Sequence, residues 1–196
     1  NEVVKFSNLE SGTPPLSNGD LIQEQLNLNS ASSSFIATGK YLFDSSTAPI
    51  KRINLLSETL YSSLGELHAI YDTSSTRFTL FLNQTPVTQV HTSVVEYAFQ
   101  LSSQHIVLIF AAEVVGHDYV YTILDLNHGG HRIMNEVGNY EQLVGANLNR
   151  DKSCVLLRFA DSRKYAEKDD YQVYQYCGVG NVAKILDVKS EEYYRS

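Results

Sequence analysis

The residues best suited to metal chemistry lie in one short stretch, where His128 and His131 are three positions apart and Asp125 precedes both. Imidazole nitrogens and carboxylate oxygens are common zinc ligands, so these three side chains are candidate ligands of a cation. A closed structural zinc site needs a fourth ligand, which this stretch does not supply. The alternative interpretation is a polar hairpin turn, because the residues 127–130 tolerate the positive φ that tight turns require. The composition of the stretch favours the turn.

A second pair of polar residues, His117 and Asp118, lies too far along the chain to complete that site. The intervening segment, Tyr119 to Leu126, reads as a strand, and at 3.3 Å per residue it would separate the two loops by about 26 Å. The two loops are then at opposite ends of one hairpin. We therefore treat His117 and Asp118 as candidate binding residues on a loop.

Carboxylates at strand ends allow a hydrolytic site in principle. They are Asp44, Glu66, Glu96, Glu113, Asp118, Asp125 and Glu136. Glycoside hydrolysis needs two carboxyl groups about 5 to 10 Å apart, and sequence spacing does not report that distance. The alternative is that these acids simply serve solubility and turn formation.

Other catalytic and cofactor motifs are missing from the sequence. Gly178 and Gly180 form a bare G-x-G that lacks the third glycine and the helix of a dinucleotide site, so we interpret it as a turn. No serine lies in a G-x-S-x-G nucleophile elbow. We expect no cofactor.

Tyrosine is the residue type that most suggests a binding surface. The chain has 13 Tyr and no Trp, and exposed tyrosine gives a large contact area at a small cost in conformational entropy. Tyr165, Tyr171, Tyr193 and Tyr194 are the candidates, because they lie in or beside loops late in the chain. The alternative is that these rings only pack, since β-sheets favour tyrosine.

The elements that would position these residues are short strands. From Phe35 onward, apolar runs of four to eight residues rich in Val, Ile, Tyr, Phe and Thr alternate with turn clusters, which is typical of an all-β domain. The longest apolar run extends from Ile106 to Ala112. Two windows favour helix instead, Ser57 to Leu64 and Asn139 to Val144.

The strands repeat in groups of three. The run HIVLIFA at 105–111 aligns with CVLLRFA at 154–160, and each is followed by a polar loop, a second strand and a glycine-containing turn. Looser copies begin near Leu67 and Phe35. Four antiparallel three-stranded meanders predict a propeller-like fold of about four units, and a β-sandwich or a partly closed barrel is the alternative.

Cys154 and Cys177 fall opposite each other if the late hairpin pairs as its hydrophobic pattern requires. One face of that hairpin then becomes mainly apolar, with Val155, Leu157 and Phe159 opposite Tyr176, Tyr174 and Gln172. Opposed β-carbons in a hairpin are close enough for a disulfide. We predict the bond, and two free thiols are the alternative.

Composition limits the function classes. The chain of 196 residues carries 22 acidic and 15 basic side chains and a net charge of -7, which gives no basic surface for nucleic acid. No apolar run reaches the roughly 20 residues of a membrane-spanning helix. Residues 1–34 are rich in Ser, Asn and Leu, and we interpret them as an N-terminal arm packed on a single all-β domain of residues 35–196.

A disulfide favours an exported protein, periplasmic or extracellular. The first residue is not Met, which fits a removed signal peptide, and a trimmed fragment is the alternative. The leading hypothesis is a non-enzymatic binding domain, such as an inhibitor, an immunity protein or a surface-complex component, that holds a protein partner through hairpin loops and exposed tyrosines. The alternative is a hydrolase of a glycan or peptide that uses loop carboxylates, with or without a histidine-bound metal.

Overall fold

The computed structural model describes residues 38–43, 48–127, 129–135, 141–161 and 171–188. Their regular structure is entirely β-strand, which confirms the all-β prediction, and these residues contain no helix. In chain order the strands are β1 (Thr38–Tyr41), β2 (Ile50–Asn54), β3 (Glu58–Ser62), β4 (Gly65–Asp72), β5 (Arg77–Leu82), β6 (Thr85–Val90), β7 (Val94–Ser102), β8 (His105–Phe110), β9 (Glu113–Val115), β10 (Asp118–Val120), β11 (Thr122–Asn127), β12 (Gly130–Asn135), β13 (Glu141–Leu148), β14 (Val155–Asp161), β15 (Tyr171–Tyr176) and β16 (Ala183–Val188).

The strands form three large sheets and one small hairpin. The first sheet has the order β1-β3-β4-β5-β6, the central sheet β12-β11-β8-β7-β2 and the last sheet β13-β14-β15-β16, and β9 pairs with β10. All pairings are antiparallel except that of β1 with β3.

Meanders account for most of each sheet, as the repeats predict. The unit near Leu67 is β4-β5-β6, and the unit that begins with CVLLRFA is β14-β15-β16. The unit expected near Phe35 is not a meander, because β1 joins the first sheet whereas β2 joins the central sheet. The segment from Tyr119 to Leu126 is also not one strand. It is divided between β10, which pairs with β9, and β11, which pairs with β8 and β12.

In the part of the chain that the structure describes, the sheets form neither a closed barrel nor a propeller. The predicted N-terminal arm of residues 1–34 lies outside the described residues.

Both helix predictions are wrong where the structure describes them. Residues of the first window form β3, and Gly65 has a φ of 134° at the turn that leads into β4. In β3 the buried positions are Leu60 and Ser62, two residues apart, which is the period of a strand. Residues of the second window from Glu141 onward belong to β13, where Leu143 pairs with Phe159 of β14. Pairing with neighbouring strands outweighs the local helical tendency of such short windows.

The central sheet is buried on both faces. One core joins it to the first sheet through residues such as Leu60, Leu80, Ile106, Leu108 and Phe110. A second core joins its other face to the last sheet, through Val107, Ile109, Ile123, Leu157 and Phe159 among others. Alternate residues of β8 therefore enter different cores, so the three sheets stack in three layers.

This stacking explains the longest apolar run of the sequence. A strand covered on one face shows alternating polar and apolar residues, whereas a strand covered on both faces needs apolar residues at every position. In β8, the residues from Ile106 to Phe110 are all buried. At about 1.5 to 3 kcal/mol for each large side chain fully removed from water, this strand contributes strongly to stability.

The predicted disulfide is present. Cys154 and Cys177 are joined at an S–S distance of 2.11 Å, and β14 pairs with β15 in the predicted register, with Val155 opposite Tyr176 and Leu157 opposite Tyr174. Val155, Leu157 and Tyr176 are each at most 1% exposed. The hydrophobic pattern of this hairpin therefore correctly predicted which of its faces is buried.

Leu157 and Leu156 are adjacent leucines on opposite faces of β14, which makes them a matched test of the layer arrangement. Leu157 is 0% exposed in the core between the central and last sheets, so we expect Leu157→Ala to lower the free energy of unfolding by about 2 to 5 kcal/mol. Leu156 is only partly buried on the outer face, so Leu156→Ala should cost less than about 1.5 kcal/mol. Urea denaturation measures both, and equal losses would contradict the assigned faces.

Candidate functional site

The cluster richest in ionisable groups surrounds Asp125, a carboxylate buried between the central and last sheets. Asp125 is 3% exposed and lies in β11 among the apolar residues Ile123, Leu124 and Leu126. Strand alternation directs Asp125 and Ile123 to the same face, which packs against the last sheet. A buried carboxylate is costly unless it is paired and hydrogen-bonded.

His105 provides the first partner of this carboxylate. Its Nε2 atom lies 2.5 Å from Asp125 Oδ1, and 22% of the His105 side chain is exposed. Among the described residues, neither of these two atoms has another hydrogen-bond partner. His105 is two residues before Val107, which pairs with Asp125 across β8 and β11, so the two side chains are diagonal neighbours on one face.

Tyr176 provides the second partner, from the last sheet. Its hydroxyl donates a hydrogen bond to Asp125 Oδ2, and the residue is 1% exposed. Burial raises the pKa of the Tyr176 hydroxyl well above its ordinary value; its hydrogen bond to Asp125 and the charge of that carboxylate raise the pKa further, and Arg132 acts in the opposite direction. This hydrogen bond links two sheets through their shared core.

A glycine turn and Arg132 close the cluster at the exposed side. Gly178 has a φ of 81°, and a Cβ atom there would collide with the Cε1 atom of the His105 ring. Gly180 has a φ of 75°, and its carbonyl oxygen accepts a hydrogen bond of 2.8 Å from Arg132. The G-x-G is therefore a turn, as predicted, and it covers the histidine ring next to Cys177.

The geometry of the cluster suits a structural connection between the sheets. A histidine paired with a carboxylate occurs in catalytic triads, but catalysis also requires a nucleophile and access for the substrate. In the described part of the chain Asp125 is the polar partner of His105, and both cysteines are in the disulfide. Asp125 and Tyr176 are almost fully buried, so a substrate could not reach them.

The three proposed metal ligands do not converge on Asp125. Across β11 and β12, Asp125 pairs with Arg132 whereas His131 pairs with Leu126. Adjacent register positions point to opposite faces, so Asp125 and His131 face apart. His128 lies outside the described residues. Within those residues, no group of three His, Cys, Asp or Glu side chains is placed to hold a metal ion.

Of the proposed binding residues, the structure describes Tyr171, His117 and Asp118. Tyr171 begins β15, is half-buried, and has the guanidinium carbon of Arg158 4.2 Å from its ring centroid. Tyr165 lies between β14 and β15 in the sequence, and Tyr193 and Tyr194 follow β16; these three tyrosines are outside the described residues. His117 and Asp118 lie at the turn between β9 and β10, and β10 contacts β13 at the edge of the last sheet.

Sequence reasoning missed the apolar side chains on the outer face of the last sheet. This face is opposite the second core, and pairing places Leu156, Val173 and Leu186 on three neighbouring strands. Leu186 is 45% exposed, and Ile185 at the adjacent bulge is 52% exposed. The available signal was the segment AKILDV at 183–188, which is rich in apolar residues although it forms an edge strand.

Comparison with known proteins gives no relative: no family model, curated protein or solved structure matches this chain. In the residues that the structure describes, no helix has the length and apolarity needed to cross a membrane.

Tyr176→Phe tests the buried cluster through stability at neutral and alkaline pH. Loss of the hydroxyl leaves Asp125 with one donor fewer, so we expect a loss of about 1 to 3 kcal/mol near pH 7. In the unfolded chain Tyr176 ionises near pH 10, roughly its ordinary pKa, whereas in the folded chain it stays neutral to higher pH. Its contribution is therefore complete below about pH 10 and declines above it by at most about 1.4 kcal/mol per pH unit.

Urea midpoints between about pH 8 and pH 11.5 measure this dependence. The stability of Tyr176→Phe should fall less steeply with rising pH than that of the wild type. Some decline should remain in the variant, because burial also raises the pKa values of Tyr97 and Tyr121. Tyr71→Phe is the control, because Tyr71 is 45% exposed and outside the cluster. An alkaline slope identical in wild type and Tyr176→Phe would contradict the buried hydrogen bond.

Proposed function

We propose that this chain is a non-enzymatic exported binding domain that holds a protein partner on the outer face of its last sheet. The observation that carries the proposal is the exposure of apolar side chains there, Leu186 above all. At the two interfaces between sheets, by contrast, the apolar side chains are covered by the neighbouring sheet. Exposed apolar residues that are grouped on one face are typical of interaction sites.

The charge of this face indicates the chemistry of the partner. Arg158 is exposed and stacks on Tyr171, which leaves a cation among apolar neighbours in a chain of net charge -7. Arg and Tyr are both enriched at the centres of protein interfaces. We infer a partner with an apolar surface that carries a carboxylate opposite Arg158.

The edge of the sheet supports the same proposal. In the described residues β16 pairs only with β15, so its other edge has backbone groups available for an added strand. Every residue of β16 except Val188 is exposed. Addition of a partner strand along β16 would provide backbone hydrogen bonds, and the pockets for its side chains would provide specificity.

The disulfide supports export. Cys154 and Cys177 join β14 to β15 at the end of this sheet, and such bonds form and persist mainly outside the cytosol. They also hold the sheet rigid, which lowers the entropic cost of binding.

The stacking supports a propeller-like interpretation of the architecture. Each large sheet contains four antiparallel strands in a meander, namely β3 to β6, then β7, β8, β11 and β12, then β13 to β16. Successive sheets pack face to face, as the blades of a propeller do. We infer an open stack of blade-like sheets in which, among the described residues, the outer faces of the first and last sheets have no neighbouring sheet.

Leu186→Asp tests the proposed face. Affinity capture from an extract of the source organism, followed by mass spectrometry and chemical cross-linking, should recover a partner with cross-links at the last sheet. A charge on the apolar face should weaken that complex by about tenfold or more. Ile70→Asp is the matched control, since Ile70 is 52% exposed on β4 of the first sheet, and it should bind as the wild type does.

Equal binding by Leu186→Asp and wild type would contradict this face as the binding site. Turnover of a panel of glycans or peptides by the purified chain, with no partner captured, would favour a hydrolase.

A further inference from the structure

A cavity of about 300 Å³ lies where the three sheets meet. Its wall combines Leu42, which follows β1, Phe99 and Gln100 of β7, Leu148 of β13, and the loop between β13 and β14. Leu42 and Phe99 are at most 2% exposed, so the apolar part of the wall that a ligand could contact comes from residues such as Phe43 and Leu148, and the rest of the wall is polar. Small-molecule sites typically have this volume and occur where structural units meet.

The charged groups of the cavity are all of one sign. Among its described lining residues, Arg150 and Lys152 are cations and none is Asp or Glu. Acidic side chains outnumber basic ones by 22 to 15 in the whole chain, so the cavity departs from the average charge of the protein. Such a distribution favours an anionic ligand.

The loop that carries these cations has a fixed conformation. The Asn149 amide oxygen accepts a hydrogen bond of 2.9 Å from the Cys154 nitrogen, and the Asn149 carbonyl accepts one of 3.0 Å from the Lys152 nitrogen. The nearby Asp151 carboxylate accepts a hydrogen bond from Ser153 and does not line the cavity. Cys154 anchors the loop through the disulfide. The cations therefore extend from a preorganised loop.

Gln100 supplies an unsatisfied polar group at the same place. Its Oε1 atom is buried and has no hydrogen-bond donor among the described residues. Gln100 lies at a bulge of β7, where the register with β8 shifts between Gln100 and Ser102, and bulges often direct a side chain toward a functional site. Rotation of the amide would present either its acceptor or its donor to a ligand.

We propose that this cavity binds the carboxylate end of an N-acyl amino acid with an apolar side chain. The carboxylate contacts Arg150, the amide N–H donates to Gln100 Oε1 once that amide has rotated toward the cavity, and the apolar side chain occupies the space beside Phe43 and Leu148. The same chemistry is present in a free acyl amino acid and at the C-terminus of a peptide. The cavity lies at the junction of the sheets, so the proposal does not depend on a partner at the outer face of the last sheet.

Calorimetric titration of the purified chain tests the proposal with defined probes. N-acetyl-L-leucine should bind saturably with a dissociation constant on the order of 1 mM, and N-acetyl-L-leucinamide, which lacks the charge, should bind at least about tenfold more weakly. An acetylated hexapeptide that ends in a free leucine distinguishes the two sources. Tighter binding of the peptide indicates a chain terminus as the ligand, and equal binding indicates a free acyl amino acid.

Variants assign the contacts. Arg150→Gln should weaken binding of N-acetyl-L-leucine by about tenfold, and Gln100→Leu by about fivefold. Arg77→Gln is the control, because Arg77 is an exposed arginine on β5 outside the cavity, and it should bind as wild type. Circular dichroism verifies that each variant is folded.

Absence of saturable binding of both free-carboxylate probes up to about 10 mM would overturn the proposal. Unchanged affinity in both Arg150→Gln and Gln100→Leu would also overturn it.

Discussion

Burial of the central sheet on both faces is the constraint on which the rest of the structure depends. Its strands β8 and β11 send alternate side chains into two separate cores, so neither neighbouring sheet can be removed without exposing a full apolar face to water. The three layers must therefore form together. Within the described residues, the first and last sheets each keep one face that no other sheet covers, and the uncovered face of the last sheet is the proposed binding surface.

The polar cluster at Asp125 fixes the orientation of the last sheet relative to the central sheet. Apolar contacts between two sheets are tolerant of small shifts, whereas a carboxylate that is 3% exposed must keep its partners. Here those partners come from both layers, His105 from the central sheet and Tyr176 from the last sheet. We infer that the cluster fixes how the last sheet lies on the central one, and with it the position of the loop that carries Arg150.

Some of this architecture could be predicted from the sequence, because some signals are local. The register of β14 with β15 followed from their alternation, and that register placed Cys154 opposite Cys177. The wrong predictions have non-local causes. The window at Ser57 has a local helical pattern, but pairing with β1 and β4 makes it a strand, and β1 and β2 separate into different sheets through contacts that no local pattern encodes.

The candidate sites were less predictable for the same reason. Asp125 was predicted as a metal ligand because of the histidines that follow it in sequence. Its contacts in the structure are instead His105, 20 residues before it, and Tyr176, 51 residues after it. A single acid within the apolar segment from Tyr121 to Leu126 was the available signal, because such a residue must find a buried partner. The cavity draws its lining residues from three sheets, so its cations and Gln100 come together only in the folded chain.

Native-state hydrogen exchange tests the three-layer arrangement most directly. Amides of β8 and β11 should exchange only by global unfolding, because both faces and both edges of these strands are covered. Amides on the outer edge of β16 should exchange by local opening and hence much faster. Protection in β16 equal to that in β8, or rapid exchange in β8, would contradict a doubly buried central sheet and an open last sheet.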